Sequence, residues 1–418
     1  MRLRWKWISA SIIAVLLGVG FWLRQRPAAP PIVAIAAQTS PAPLVPPWRP
    51  GISIPAVEAS KQRAEGADSD EIEICGIGKV KLDRADWTAA GNYVDALTKN
   101  KRLRWLAALR DSDDYRARAA GLYLEDPVDR DSPRKDPAAA RDELVQLALV
   151  TKDPAAFALA NAKCANQGEN IAASVACPQF SIEDWARADP DNAVPWLQLA
   201  AKARREGDAA AEGAAFARAA QAHQYESYSW SLLSFAQAFM PSDVTPTERW
   251  ILSAQIIGVE AAMVMPYQPQ FRYCSADALA NPVVHAQCNS LAELMVKKSA
   301  NIVESSIGNS LGARLGWPQE RVDKMKEEVK ASMEVLNQEL TSDPKQPYSC
   351  DSVAKGNAYM AQWGELGERG LARQAIERSG ETVAELARKY DERITALIRQ
   401  AQERAREESV PPRDAPLP

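Results

Sequence analysis

Few residues of this chain have the type and spacing that enzymatic chemistry requires. Its 418 residues include two histidines, His223 and His285, so a histidine-dependent catalytic triad has few candidates. Residues Gly308 to Gly312 read GNSLG, which fits the GxSxG pattern of a nucleophilic serine on a strand-to-helix turn. The preceding stretch LAELMVKKSANIVESSI has a helical period, however, and both histidines come before the serine. We therefore interpret the two glycines as the end of a helix and name no catalytic residue.

One carboxyl group could act without a histidine. Glu304 and Ser305, followed by Gly312 and Ala313, resemble the Glu-Ser and Gly-Ala elements of lytic transglycosylases, helical periplasmic enzymes in which a single Glu is general acid and base. The resemblance implies a cell-wall-active enzyme with Glu304 as its general acid and base. The spacing is shorter than in that family and its Met-Gln element is absent. We interpret Glu304 as a solvated helix residue and keep the enzyme as the alternative.

Six cysteines could support disulfide or metal chemistry. They are Cys75, Cys164, Cys177, Cys274, Cys288 and Cys350. Their even number agrees with an oxidising compartment, and the absence of any CxxC removes the zinc-ribbon and thioredoxin patterns. Cys274, His285 and Cys288 could offer three zinc ligands, but disulfide formation competes for the two thiols in such a compartment. We therefore expect disulfides, no metal site and no cofactor.

The positions of helix ends predict how the cysteines pair, although six cysteines allow 15 pairings. Cys164 and Cys177 lie at two helix ends that a helical hairpin brings together. Cys274 and Cys288 flank a short stretch before the next helix, so both of these pairs close local loops. The predicted disulfides are therefore Cys164 with Cys177, Cys274 with Cys288 and, by exclusion, Cys75 with Cys350.

An uncharged apolar segment, Ile8 to Leu23, lies near the start of the chain between two basic flanks. At 1.5 Å per residue a helix over this segment is about 24 Å long, and flanking tryptophans and basic side chains extend its reach. A cleaved signal peptide is the competing interpretation, but Arg24 and Arg26 occupy the place where small residues are expected. We predict an uncleaved signal anchor in a bacterial inner membrane. Residues 1–7 would be cytoplasmic, and the bulk of the chain would be periplasmic.

The composition is that of an ordinary globular protein, with 46% apolar and 25% charged residues. A net charge of -4 excludes a strongly basic surface for nucleic acid. Prolines are frequent in residues 27–56, and residues 57–70 are polar and charged. We interpret residues 24–70 as an extended spacer between the membrane and the folded part. The predicted organisation then continues with a helical-hairpin domain at 71–265, a C-terminal helical region at 266–408 and a disordered tail at 409–418.

Capping residues predict where the helices begin. Asp followed by Pro is a strong helix start, because Asp caps the first turn and Pro needs no hydrogen bond there. This pair occurs at Asp136, Asp153 and Asp189. Thr245 with Glu248 forms a capping box. Further predicted starts lie at Asn281, Trp317 and Asp351.

Two segments at the ends of the folded region have other periods. Glu71 to Leu82 alternates apolar and polar residues, which predicts one or two short strands packed on a helical body. Glu381 to Glu408 has a heptad stripe, which indicates either a dimerising coiled coil or a long final helix laid across the body. We favour the final helix. The stripe consists of Val383, Ala387, Tyr390, Ile394, Leu397 and Ala401.

Residues Asp189 to Ala220, DPDNAVPWLQLAAKARREGDAAAEGAAFARAA, are similar to one tetratricopeptide repeat. The matching residues are Trp196, Leu199 and Ala200 in the first helix, Gly207 at the turn, and Phe216 and Ala219 in the second helix. Departures at Ala203, Glu212 and Gln224 predict an irregular array. The resemblance implies that Trp196 and Phe216 pack in the core between the helices.

These observations predict a mainly α fold, an irregular α-helical superhelix of tetratricopeptide-like hairpins with a short N-terminal extended element and one transmembrane helix. Helical superhelices present extended binding surfaces. We therefore expect a membrane-anchored periplasmic binding or scaffold protein for a peptide or protein partner in the cell envelope, with no nucleic-acid partner.

Overall fold

The structure, a computed structural model, describes residues 71–81, 87–125, 138–165, 174–263, 268–340 and 346–409. Within these residues the protein is mainly α, as the sequence predicts, with 15 α-helices and one two-stranded sheet. No helix among them combines the length and the apolar character that crossing a membrane requires. The predicted anchor at 8–23, the spacer at 24–70 and the tail beyond residue 409 lie outside the described residues.

The extended element at the start of the described chain is an antiparallel β-hairpin. Strand β1 is Glu71–Ile74 and strand β2 is Gly78–Lys81, with Ile72 paired to Val80. Gly76 in the turn has φ of +76°, a conformation that glycine adopts without strain. The predicted short strands are thus confirmed, and a small apolar cluster packs them on the helical body.

The helices that follow range from one turn to 30 residues in length. They are α1 (Trp87–Arg110), α2 (Tyr115–Leu124), α3 (Ala139–Thr151), α4 (Pro154–Ala165), α5 (Ile182–Ala188), α6 (Ala193–Glu206), α7 (Ala209–Gln221), α8 (Leu232–Ala236), α9 (Pro246–Ala262), α10 (Gln268–Tyr273), α11 (Pro282–Lys298), α12 (Ile302–Arg314), α13 (Gln319–Leu340), α14 (Cys350–Ser379) and α15 (Val383–Ser409).

Side-chain caps explain several of the helix starts. The Thr245 hydroxyl accepts a hydrogen bond from the Glu248 amide and the Glu248 carboxylate accepts one from the Thr245 amide, so the predicted capping box of α9 is present. Asn281 caps α11 through the Val283 amide. Asp153 caps α4 by accepting a hydrogen bond from the Ala156 amide at 3.0 Å.

Two of the predicted helix starts need correction, and a third lies outside the described residues. Asp189 does not open a helix, because it ends α5, and Asn192 caps α6 instead. Helix α14 begins at Cys350, where the Ser349 hydroxyl caps it, one residue before the predicted Asp351. The predicted start at Asp136 lies outside the described residues.

Helices that are neighbours in the chain are neighbours in space. From α1 to α7 each helix packs against the next one along the chain. Helix α7 then packs against α11, and from α11 to α14 each helix again packs against the next one. From Glu71 onward the chain forms one compact unit. Most of the buried apolar side chains belong to one continuous cluster. Its largest fully buried side chains include Trp105, Trp185, Phe157 and Phe216.

Helices α8 and α9 depart from this succession. Helix α8 contacts both α2 and α14, and α9 contacts both α1 and α14. Trp105 of α1 donates a hydrogen bond from Nε1 to the Ala236 carbonyl of α8 at 3.0 Å. Asn357 of α14 donates one to the Pro246 carbonyl of α9 at 2.9 Å. We call residues 232–262 the bridging segment, because they connect the first helices with the last long ones.

The final helix lies on the body of its own chain. Helix α15 packs along α13, with Leu386 and Ala387 buried. Arg393 Nε donates a hydrogen bond to Glu334 Oε2 of α13 at 2.9 Å. Leu397 of the predicted stripe is exposed. The long helix laid across the body is therefore the observed arrangement.

The two glycines of the GxSxG pattern lie inside α12 and do not end it. They permit close packing instead. A Cβ on Gly308 would come within 2.7 Å of the Met295 Cβ, and one on Gly312 would overlap the Trp317 ring. The helix-end interpretation was wrong. Residues without a side chain are needed at these two positions because α11 and Trp317 approach the α12 backbone closely there.

Replacing Gly308 with alanine should therefore lower the free energy of unfolding by about 1–3 kcal/mol, the usual cost of overpacking. Gly213 of α7 is a matched control, since the nearest atom to its Cβ would be the Tyr273 hydroxyl at 3.8 Å. Gly213→Ala should raise the free energy of unfolding by about 0.5–1 kcal/mol, because alanine favours helix. Urea denaturation measures both changes. Equal effects of the two substitutions would contradict the packing argument.

Candidate functional site

The segment that resembles a tetratricopeptide repeat is a helical hairpin. Helix α6 ends at Gly207, which adopts the left-handed conformation with φ of 77°. The next residue, Asp208, caps α7 by accepting a hydrogen bond from the Ala211 amide at 2.9 Å. Phe216 and Ala219 of α7 are buried, and the Phe216 ring stacks on Tyr273 with centroids 3.8 Å apart. These contacts place the second helix of the hairpin against the core.

Trp196 differs from its predicted role, because its side chain is only half-buried. Its Nε1 donates a hydrogen bond to the Pro190 carbonyl at 2.9 Å, and the Arg218 guanidinium lies 5.6 Å from its ring centroid. Leu199, one turn further along α6, is also half-buried. The hairpin thus presents a partly exposed surface of apolar and basic groups. We call Trp196, Leu199 and Arg218 the hairpin patch.

Truncating the two aromatic residues of the hairpin should have unequal effects on stability. Phe216→Ala should lower the free energy of unfolding by about 3–5 kcal/mol, because it leaves a cavity in the core. Trp196→Ala should lower it by only about 1 kcal/mol, since this side chain is partly exposed and packs at the edge of the core. Thermal or urea unfolding followed by circular dichroism measures both. A larger loss for Trp196→Ala than for Phe216→Ala would show that this description of the hairpin is wrong.

The structure contains three disulfides, and they are the pairs that the sequence analysis predicts. Cys164 bonds to Cys177, Cys274 to Cys288, and Cys75 to Cys350. The first two close loops with sequence separations of 13 and 14, whereas the third has a separation of 275. The long-range bond connects the β-hairpin with the start of α14.

The zinc alternative has no ligand set among the described residues. Both thiols that it requires are in the Cys274–Cys288 disulfide, and the His285 side chain is exposed on α11. No group of three or more His, Cys, Asp or Glu in the described ranges is placed to hold a metal ion.

Glu304 is a buried residue, which corrects its interpretation as a solvated one. Only 1% of its surface is exposed, in the first turn of α12. The Ser299 hydroxyl donates a hydrogen bond to Glu304 Oε2 at 2.7 Å. Because the carboxyl group is enclosed by its own chain, a substrate in solution has no direct access to it in this conformation.

Glu304 belongs to a group of acidic side chains that the sequence did not identify. Glu368 of α14 accepts a hydrogen bond from the Ile302 amide at 2.7 Å, close to Glu304. Burial and, to a lesser extent, the charge of Glu304 raise the pKa of Glu368 to about 7, although the hydrogen bond from the Ile302 amide opposes the shift. Glu226, between α7 and α8, has a pKa of about 7 for the same reasons, burial first and then the charges of Glu304 and Asp189.

A fourth carboxyl group, that of Glu260 on α9, lies inside the bridging segment. Its Oε1 accepts a hydrogen bond from the Leu233 amide at the start of α8, at 3.0 Å. Burial raises the pKa of Glu260 to about 8, although this hydrogen bond opposes the shift. Glu226, Glu260 and Glu368 therefore bind or release protons near neutral pH.

These raised pKa values predict that the protein loses stability as the pH rises. Each raised carboxyl binds more protons folded than unfolded, between the ordinary pKa of 4.5 and its folded value of about 7 to 8. The free energy of unfolding should fall across that window, by up to about 1.4 kcal/mol per pH unit for each group. Urea unfolding at pH 5, 6.5 and 8 measures this dependence.

Glu260→Gln tests the largest of these shifts. The substitution keeps the shape of the side chain and removes its titration, so the decline between pH 6.5 and 8 should become shallower. Glu392→Gln, on the exposed surface of α15, is the matched control and should leave the pH dependence unchanged. A stability that is constant or increases from pH 5 to pH 8 would contradict the assignment.

The described surface also has an open groove, but the residues that line it do not indicate which kind of ligand it would bind. An open groove of about 570 Å³ lies between α13 and α15. Its charged side chains include two pairs of opposite sign, Lys330 with Asp391 and Arg388 with Glu392. Such pairing leaves neither sign of charge dominant there.

Comparison with protein-family models gives no match, and neither the curated proteins nor the solved structures contain a match to this chain.

Proposed function

We propose that this chain is a membrane-anchored periplasmic binding or scaffold protein for a peptide or protein partner in the cell envelope. In this proposal the described helices form an irregular superhelix of tetratricopeptide-like hairpins, and the apolar segment at residues 8–23 anchors it. Three disulfides support an oxidising compartment, since such bonds persist outside the cytoplasm.

The observation that carries the binding proposal is the hairpin patch. Trp196 is the type of residue that dominates protein interfaces, and Arg218 beside its ring is another. Half-burial holds the tryptophan in place, so little conformational entropy remains to be lost when a partner covers it. Arg204 at the end of α6 is paired with Glu212 at 2.8 Å, whereas the exposed Arg205 beside it favours a partner that carries acidic groups.

The test uses the full-length chain in membranes. A periplasm-active reporter fused after Pro418 should function, and cross-linking in the intact cell envelope should capture a partner. The variant Trp196→Ala with Arg218→Ala should lose at least about tenfold of the captured partner, the loss expected when interface hot spots are removed. Circular dichroism checks that the variant remains folded.

Tyr115→Ala is the matched control, because Tyr115 is an exposed aromatic residue of α2, outside the hairpin. It should retain full capture. Equal loss in both variants, or activity of only a cytoplasmic reporter, would refute the proposal. Glu304→Gln tests the alternative enzyme: loss of glycan-strand cleavage by this variant, with cleavage by the parent chain, would favour a lytic transglycosylase.

A further inference from the structure

The three disulfides differ in their access to solvent. Cys274 and Cys288 are fully buried, and Cys164 and Cys177 are half-buried. Cys350 is exposed, whereas its partner Cys75 is 7% exposed. A reductant in solution can therefore approach the Cys75–Cys350 bond from the side of Cys350, whereas both cysteines of Cys274–Cys288 are enclosed.

Cys350 also has the environment that stabilises a thiolate. It is the first residue of α14, a long helix whose N-terminus is capped by the Ser349 hydroxyl. The free amides and the dipole of a helix N-terminus favour negative charge, and cysteines at this position are acidic. A disulfide whose product thiolate is stabilised in this way is more easily reduced than one between ordinary thiols.

The β-hairpin depends on this disulfide for its position. Besides the bond itself, the Cys75 amide donates a hydrogen bond to the Tyr348 carbonyl at 3.0 Å. The Thr247 hydroxyl donates another to the Cys75 carbonyl at 2.7 Å. The apolar contact is small and includes Ile72, Ile74 and Ile251. A two-stranded hairpin with strands of four residues is only marginally stable by itself.

We propose that the Cys75–Cys350 disulfide is a redox-labile clamp, opened by a dithiol reductant before the other two disulfides, and that its opening releases the β-hairpin from α9 and α14. The hairpin directly follows residues 1–70. Reduction would free the hairpin while α1 to α15 keep their packing.

The reaction is an ordinary thiol–disulfide exchange. A thiolate of the dithiol attacks the exposed Cys350 Sγ, and the electron pair of the broken bond leaves on Cys75 Sγ, which takes up a proton. The second thiol of the reductant, after losing its proton, attacks the mixed disulfide. Cys350 then leaves as a thiolate at the N-terminus of α14. The dithiol has lost two electrons and become a disulfide, and the protein has gained two cysteines in reduced form.

The full chain is incubated with dithiothreitol under native conditions, and free thiols are alkylated and mapped by mass spectrometry over time. Cys75 and Cys350 should be labelled at least about tenfold faster than Cys274 and Cys288, as expected for an exposed bond against a buried one. Labelling of all six cysteines at one rate, or earlier labelling of either Cys164 with Cys177 or Cys274 with Cys288, would overturn the proposal.

Hydrogen exchange of the peptide that contains residues 71–81 measures release of the hairpin. Its amides should lose protection when the clamp is reduced and in the full-length Cys350→Ser variant, while peptides of α6 and α11 keep theirs. The double variant Cys164→Ser with Cys177→Ser is the matched control and should leave residues 71–81 protected. Hairpin amides that stay protected after selective reduction would show that the non-covalent contacts suffice and would refute the release.

Discussion

The described structure depends on contacts that join its early helices to its late ones, and one indole hydrogen bond illustrates them. Trp105 of α1 donates it to the Ala236 carbonyl, 131 residues further along the chain. The bridging segment that contains Ala236 also contacts α14, where Gly356 leaves room for the Trp250 indole. A row of helices in which each contacts only its neighbours would leave its two ends independent. Here α8 and α9 connect the early helices with the late ones, so the two parts share contacts with the same segment.

This arrangement encloses acidic groups at a cost in free energy. Removing a carboxylate from water is unfavourable unless partners compensate, so the buried groups retain protons at higher pH than exposed ones do. Glu260 accepts a hydrogen bond from the Leu233 amide, and Glu368 accepts one from the Ile302 amide. Each carboxyl group thereby gives a hydrogen-bond partner to a backbone amide in the first turn of a helix, α8 or α12. The same carboxyl groups that complete these helix starts make the interior sensitive to pH.

The two proposals concern different parts of the protein surface, the disulfide-bonded β-hairpin and the helical hairpin of α6 and α7. At one end, the Cys75–Cys350 bond ties the β-hairpin to α14, and hydrogen bonds join Cys75 to Tyr348 and to Thr247 of α9. Elsewhere, the hairpin of α6 and α7 exposes part of Trp196 beneath Arg218. The proposed partner surface and the proposed redox clamp therefore lie on different elements, and a defect in one can be distinguished from a defect in the other.

The sequence by itself determined the local features of this protein. Caps at Thr245 and Asn281, the turn at Gly207 and the mainly helical class follow from short-range preferences that each residue carries with it. Local closure also predicted two disulfides, and counting then assigned the third. Only the tertiary structure decided that Glu304 is buried and that Gly308 is a packing site. Those properties depend on which distant helices approach them, and helical periodicity does not specify the partner of an apolar or small-residue face.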